Sequence, residues 1–181
     1  MRSREFLTEA EVNALQKAAN AGRCGLRNST MVMIAFRHGL RVSELTSLKW
    51  EQVDPGQGNL FVRRMKNGLN STHPLHGPEL RALGRLKREQ GESGAGYVFV
   101  GQNFLPMTTG NVRKMIDVAT EKAKLDLKVH PHMLRHACGH YLANKGEDTR
   151  AIQVYMGHMN IQNTTHYTDL AAGRFKSFFN D

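Results

Sequence analysis

The stretch H130-P-H-M-L-R-H136 decides how the rest of the chain is read. Pro131 suits the first position of a helix, where a missing backbone N–H costs nothing, so His132 and Arg135 fall three apart on one face of that helix. The planar fork of an arginine matches two phosphate oxygens, and an imidazole can give or take a proton near neutral pH. An isolated HxxR is more often an incidental basic surface, and the same segment offers a rival in His136 and His140. Four apart, these could share a zinc ion, but the metalloprotease version needs a glutamate base between them and A137-C-G139 supplies none.

Four further islands extend the pattern on either side: G39-L-R-V-S-E-L45, M65-K-N-G68, M156-G-H158 and H166-Y-T168. Arg41 and Glu44 lie three apart where the apolar run M31-V-M-I-A-F36 ends, so a carboxylate can pin a guanidinium that is aimed outward. A purely structural Arg–Glu pair has the same spacing. Lys66 is placed at a turn between two strands, where it is either a solvated lysine or a mobile general acid. His158 follows a glycine helix stop, and a second helix from about Asn160 brings Tyr167 back toward it. Of the four tyrosines, Tyr97, Tyr141 and Tyr155 sit in segments that read as core, and Tyr167 has the most polar neighbours.

Charge points to the kind of partner. Lys plus Arg number 25 against 16 Asp plus Glu, a formal net charge of +9, which favours a polyanion, with nucleic acid as the default. A basic protein that binds no nucleic acid remains the plain alternative. No apolar run approaches the roughly 20 residues that cross a bilayer, and M-R-S-R-E-F-L lacks a secretory signal, so a cytoplasmic protein without a membrane partner is expected. Cys24 and Cys138 are far apart and form no CxxC pair, which favours reduced thiols over a disulfide or zinc knuckle.

The chain of 181 residues carries no repeat or linker and reads as one domain, mostly α with a small antiparallel β-sheet (α+β). L7-T-E-A-E-V is a helix start capped at Thr8 with Glu11 completing a capping box. A buried helix follows near residues 29–38. The alternation in N59-L-F-V-R-R, the Asn67-Gly68 dipeptide and S71-T-H-P-L75 predict two strands joined by a tight turn. Residues 78–90 and 108–124 read as helices, Y97-V-F-V100 as extended, and the C-terminal third as helical, punctuated by Gly146, Gly157 and Gly173.

Taken in order, the islands resemble the catalytic domain of the tyrosine site-specific recombinases, the integrase family, from about Leu7 to the end. The G-L-R-x-S-E-L-like segment aligns on Arg41 with Glu44 as its neighbouring acid, and the hairpin lysine on Lys66. The H-x-L-R-H motif aligns on His132 and Arg135, the L-G-H motif on His158 with Met156 in place of leucine, and the nucleophile on Tyr167. H130-P-H-M-L-R-H-A-C-G, D148-T-R-A-I-Q, the G-H-x-N-I step and A172-G-R-F175 narrow the resemblance to the short fimbrial phase-variation recombinases, which invert a promoter-bearing DNA segment.

The resemblance implies a tyrosine recombinase fold over residues 7–181 after a tail of residues 1–6, with no separate N-terminal core-binding domain. It also implies a reaction. Tyr167 attacks a scissile phosphate to give a 3′-phosphotyrosine and a free 5′-hydroxyl, with no metal or cofactor. Arg41, Arg135 and His158 stabilise the pentacoordinate phosphate, His132 assists deprotonation of Tyr167, and Lys66 protonates the leaving oxygen.

The implied partners are double-stranded DNA with inverted-repeat sites, a homotetramer on paired sites that is a monomer or weak oligomer without DNA, and architectural DNA-bending proteins at the nucleoid. The tail R174-F-K-S-F-F-N-D offers Phe175, Phe178 or Phe179 as a contact to another subunit, or as a cover for the chain's own core. A type IB topoisomerase activity, or a DNA-binding transcriptional regulator without catalysis, is the alternative reading.

Overall fold

A computed structural model describes residues 4–65, 68–91 and 96–168 of the chain. Lys66 and the tail from Asp169 onward, including Phe175, Phe178 and Phe179, lie outside the described residues, as does Gly173.

The first helix, α1 (Glu9–Ala19), starts where the sequence places it. The Thr8 hydroxyl accepts from the Glu11 N–H, and the Glu11 carboxylate accepts from the Thr8 N–H at 2.8 Å, a complete capping box. Its buried face, Val12, Leu15 and Ala19, packs on α2 (Gly25–Arg37) and on α5 (Thr109–Ala123). Five consecutive residues of α2, Met31 to Ala35, are buried. An α2 apolar on every side can be satisfied only when surrounded, and it lies against α1, α4 (Gly77–Gln90) and α6 (Pro131–Asn144).

The sheet has three antiparallel strands rather than two: β1 (Val53–Asp54), β2 (Asn59–Val62) and β3 (Ser71–Pro74) in the order β1-β2-β3. The expected tight turn is also corrected. The last β2–β3 pair is Val62 with Ser71, so eight residues, 63 to 70, separate the strands. The physical reason is Arg64, whose side chain is drawn into the core. Its backbone N–H donates to Asn70 Oδ1 at 2.8 Å, a side-chain substitute for the next rung of the ladder.

The C-terminal third holds α6, α7 (Thr149–Met156) and α8 (Gln162–Thr168). Asp148 caps α7 by accepting from Arg150 and Ala151 N–H, and Gly157 ends it in the left-handed conformation, φ 66°. These helices bury a second, smaller cluster of Cys138, Ala143, Ile152, Met156 and Tyr167, with Phe36 packed against both cores. The seam between the two cores is where the sequence islands meet.

Candidate active site

One side of the site is built on the turn after α2. Arg41 opens the short helix α3 (Val42–Thr46), and Glu44 in its first turn reaches back. One carboxylate oxygen accepts from the Arg41 N–H at 2.9 Å and the other from Arg41 Nη1 at 2.8 Å. Glu44 is 3% exposed and is shared with a second guanidinium, since Arg64 Nη1 lies 2.9 Å from Oε2. Burial pushes the Glu44 carboxyl up, but the Arg41 N–H and the charge of Arg64 outweigh it and hold it below the ordinary 4.5. Arg41 stays partly open to solvent, its direction fixed by Glu44.

Arg135 and Arg64 run side by side beneath Arg41. Arg135 Nη1 and Arg64 Nη1 both donate to the Gly39 carbonyl. Arg135 Nη2 donates to Met156 O at 2.7 Å, and Arg64 Nη2 to Tyr155 O and His38 O. Two buried guanidiniums thereby stitch the turn that carries Arg41 to the turn that carries His158. Burial, then the neighbouring Arg41 and Arg64, bring Arg135 down to about 10, which leaves it charged at neutral pH. The fit around Arg64 is close: a Cβ on Gly157 would stand 2.6 Å from its side chain, and one on Gly68 2.7 Å from its Cβ. Arg64 Nε is the one buried side-chain nitrogen or oxygen among the described residues without a hydrogen-bond partner.

The opposite wall is histidine. His158 Nδ1 lies 2.8 Å from Thr164 Oγ1, and Gln153 Nε2 donates to the His158 carbonyl at 3.1 Å, so both ring and backbone of His158 are held. On α6, His132, His136 and His140 follow one another at four-residue spacing along one face. The His132 ring meets that of His136 edge-on at 4.4 Å. His132 is exposed, while His136 and His140 are half-buried. Burial first, then neighbouring cations or histidines, lowers all four: His136 to about 4, His158 to about 3, and His132 and His140 below 6.5. The wall is therefore neutral at neutral pH.

Tyr167 closes the site from α8. The sequence ranks it as the tyrosine with the most polar surroundings; the structure makes it the most buried of the four at 2% exposure, with the other three half-buried. The reason is Gly139. A Cβ there would stand 2.6 Å from the Tyr167 ring, so the missing side chain is the slot that the ring occupies. Around the ring lie His166 at 3.8 Å, His140 at 5.1 Å and, nearly parallel, His158 at 6.3 Å between centroids. The hydroxyl is 3.0 Å from His136 Nδ1, not hydrogen-bonded to His132. Burial raises the phenol to about 12 even though Arg135 and Arg41 pull it down.

Five of the six expected catalytic residues, Arg41, His132, Arg135, His158 and Tyr167, thus converge with Glu44 on one seam. Lys66, the sixth, lies outside the described residues, although Arg64 two positions before it is anchored in that seam. His136 and His140 pack about Tyr167, and among the described residues no group of three histidine, cysteine or acidic side chains converges as a metal site.

Three features were missed in the sequence. Arg64 carried a signal: Leu60, Val62 and Arg64 alternate with exposed Phe61 and Arg63, which puts Arg64 on the inner face. His136 carried one too, being four residues from His132. The buried chain Glu79 Oε1–His38 Nε2 (2.7 Å), His38 Nδ1–His73 Nδ1 (3.1 Å), His73 Nε2–Ser71 Oγ (2.8 Å) carried none, because its members are 41, 35 and 2 residues apart.

Comparison with known proteins gives this geometry its class. The model of the phage integrase family matches residues 5–174. Type 1 fimbriae regulatory protein FimE of Escherichia coli K12 is 38% identical over 179 residues, covering 97% of this chain and 90% of that protein. FimB of the same strain is 38% identical over 177 residues, covering 96% and 88%. The crystal structure of XerA recombinase matches with a TM-score of 0.82 at 28% identity, over 96% of this chain and 63% of that one. The chain belongs to the phage integrase family. It is a tyrosine recombinase, an enzyme that cuts and rejoins DNA strands.

Proposed function

We propose that this recombinase inverts a DNA segment between inverted-repeat sites and so switches the expression of fimbrial genes, with Arg41, Lys66, His132, Arg135, His158 and Tyr167 as its catalytic residues and Glu44 in support. The reading of the substrate rests on FimE and FimB, whose names describe regulators of type 1 fimbriae. The reading of the residues rests on one observation above all: the turns carrying Arg41 and His158 are tied to Arg135 by shared carbonyls, with Tyr167 packed across the same seam.

A scissile phosphate docks on the free N–H groups of Arg41 and Arg135, and His158, oriented through Nδ1 by Thr164, offers Nε2 to a phosphate oxygen. Each such donor is worth roughly 10²- to 10³-fold in rate, by the measure of losing one preorganised oxyanion donor. Tyr167 attacks phosphorus, its proton leaving into the His132–His136 pair, and Lys66 protonates the departing 5′ oxygen. The covalent phosphotyrosine keeps the energy of the broken bond, so the hydroxyl of another strand reseals the backbone without metal or nucleotide.

Inversion exchanges four strands, which calls for four protomers on paired sites in the nucleoid and for bending proteins that bring the sites together. Incubating the protein with fragmented host DNA, denaturing, and sequencing what stays attached tests the reading. Attached fragments that share a repeat, absent for Tyr167→Phe, support it. Relaxation of supercoils without strand exchange points to a topoisomerase, and DNA binding without attachment to a regulator.

A further inference from the structure

We infer that His136 is the immediate proton acceptor for Tyr167 in strand cleavage, and the donor that returns the proton in rejoining. This deepens the recombinase reading above and rests on it, since it concerns the same nucleophile. The observation that carries it is the position of the reacting atom: Tyr167 Oη lies 3.0 Å from His136 Nδ1, the hydrogen-bond reach that proton transfer requires. His132 stands behind His136, edge to face at 4.4 Å between ring centroids, and makes no hydrogen bond to the Tyr167 hydroxyl.

The fold prepares this contact. Helix α6 presents His136 one turn beyond His132 and one turn before His140, the Gly139 gap admits the phenol ring, and His140 and His166 hold the ring from two sides. His136 itself is held neutral, so the Nδ1 lone pair is available and Tyr167 donates to it. In the resting state transfer is unfavourable, because both an imidazolium beside Arg135 and a buried phenolate are disfavoured. Burial and then the neighbouring histidines, with Arg135 last, hold His136 neutral, and a phosphate docked on Arg41 and Arg135 would favour the imidazolium by placing negative charge beside it.

The step balances without any further reactant. The Tyr167 O–H bond breaks and its proton passes to Nδ1 of His136. The phenolate oxygen bonds to phosphorus, the P–O5′ bond breaks, and the 5′ oxygen takes a proton from Lys66. In rejoining, the 5′-hydroxyl gives its proton back to Lys66, and the departing Tyr167 oxygen recovers its own from His136.

The test uses the full chain and a nicked DNA site that traps the covalent complex, with folding of each variant followed by thermal melting. His136→Gln keeps a hydrogen-bonding side chain but cannot accept a proton, and it should slow complex formation roughly 10²- to 10³-fold. In the His136→Gln background, replacing Tyr167 by 3-fluorotyrosine, a more acidic phenol, should restore at least about tenfold of the loss, a larger gain than the same replacement gives the parent protein, since less help is needed to remove the proton. A merely structural role for His136 would not respond to the acidity of the phenol.

An unchanged rate in His136→Gln, or a loss that 3-fluorotyrosine does not relieve, overturns the inference. So does relief confined to His132→Gln, which returns the role to His132. Absence of complex from the parent protein on a site that it binds would instead sink the recombinase reading, and this inference with it.

Discussion

The two sides of the active site handle charge in opposite ways. Against the α2–α3 turn stand three guanidiniums, Arg41, Arg64 and, reaching over from α6, Arg135, and one buried carboxylate, Glu44, contacts two of them. On the α6–α8 side stand His132, His136, His140, His158 and His166 with Tyr167. Among the described residues no ion pair to a carboxylate is found there, and burial, with the neighbouring charges, holds His132, His136, His140 and His158 neutral. The arginine floor is fixed before DNA arrives, because its donors are tied to Glu44 and to backbone carbonyls. In the proposed mechanism the histidine wall acquires charge when a docked phosphate supplies the opposite sign. On that mechanism binding is preorganised and proton transfer is conditional, which suits an enzyme that must not cut until its substrate is seated.

Removing the residue that serves both sides should have the largest effect. Arg135 reaches the floor through Gly39 O and the wall through Met156 O, and in the proposed mechanism its remaining N–H groups hold the phosphate. Arg135→Ala should therefore lower covalent complex formation by at least about 10³-fold and also lower the melting temperature. A variant of normal melting temperature and normal rate would show that the two sides are not joined through this side chain.

Glu44→Gln tests the floor alone. It leaves Arg64, whose side chain is wholly buried, without its counter-charge, and breaking a buried pair in this way costs about 3–5 kcal/mol. Urea denaturation measures it. A loss under about 1 kcal/mol, the worth of an exposed pair, would mean that Glu44 only orients Arg41.

Arg64→Met should be milder, about 1–3 kcal/mol, because the buried charge and its unpartnered Nε go together, and although Glu44 Oε2 and the carbonyls it served lose a donor, Glu44 keeps Arg41. Its catalytic effect sharpens the comparison. Arg64 lies two positions before Lys66, so, with Lys66 as the proposed acid, loss of Arg64 should impair proton donation to the leaving oxygen more than phosphate binding. A DNA site with sulfur in place of the bridging 5′ oxygen needs no such proton. Cleavage of that site should fall clearly less in Arg64→Met than cleavage of the natural one; equal losses would separate Arg64 from the lysine.

The floor and the wall also differed in how much of them could be read from the sequence. Local signals were sufficient where the physics is local: the Thr8–Glu11 capping box, the Gly157 stop, the apolar run of α2, and the Arg41–Glu44 pair three residues apart. The family's ordered islands supplied the rest of the convergence. What stayed hidden depended on contacts between distant segments. The eight-residue β2–β3 connection exists because Arg64 is drawn toward Gly39, His38 and Tyr155, and turn chemistry at Asn67-Gly68 says nothing of that. The burial of Tyr167 follows from a missing side chain at Gly139, 28 positions away, and polar sequence neighbours point the other way.

Acid separates the two sides by the smallest and most gradual effect. The wall histidines have folded values far below 6.5, about 3 for His158 and about 4 for His136, so between those values and 6.5 the unfolded chain binds protons that the folded one refuses. Stability is then full above about 6.5 and is lost as the pH falls through that window, by at most about 1.4 kcal/mol per pH unit for buried His158 and less for half-buried His136, where solvent screens the shift. Buried His73, at about 3, adds a loss of the same sign in the sheet. Glu44 lies below its ordinary 4.5, so its contribution persists until the pH drops beneath that value. Amide exchange should accordingly show α8 opening between pH 6.5 and 5 while α3 stays protected, and His158→Asn should flatten the slope of melting temperature against pH in that range. Simultaneous opening of α3 and α8 would mean that the stitching by Arg64 and Arg135 makes the two sides one cooperative unit.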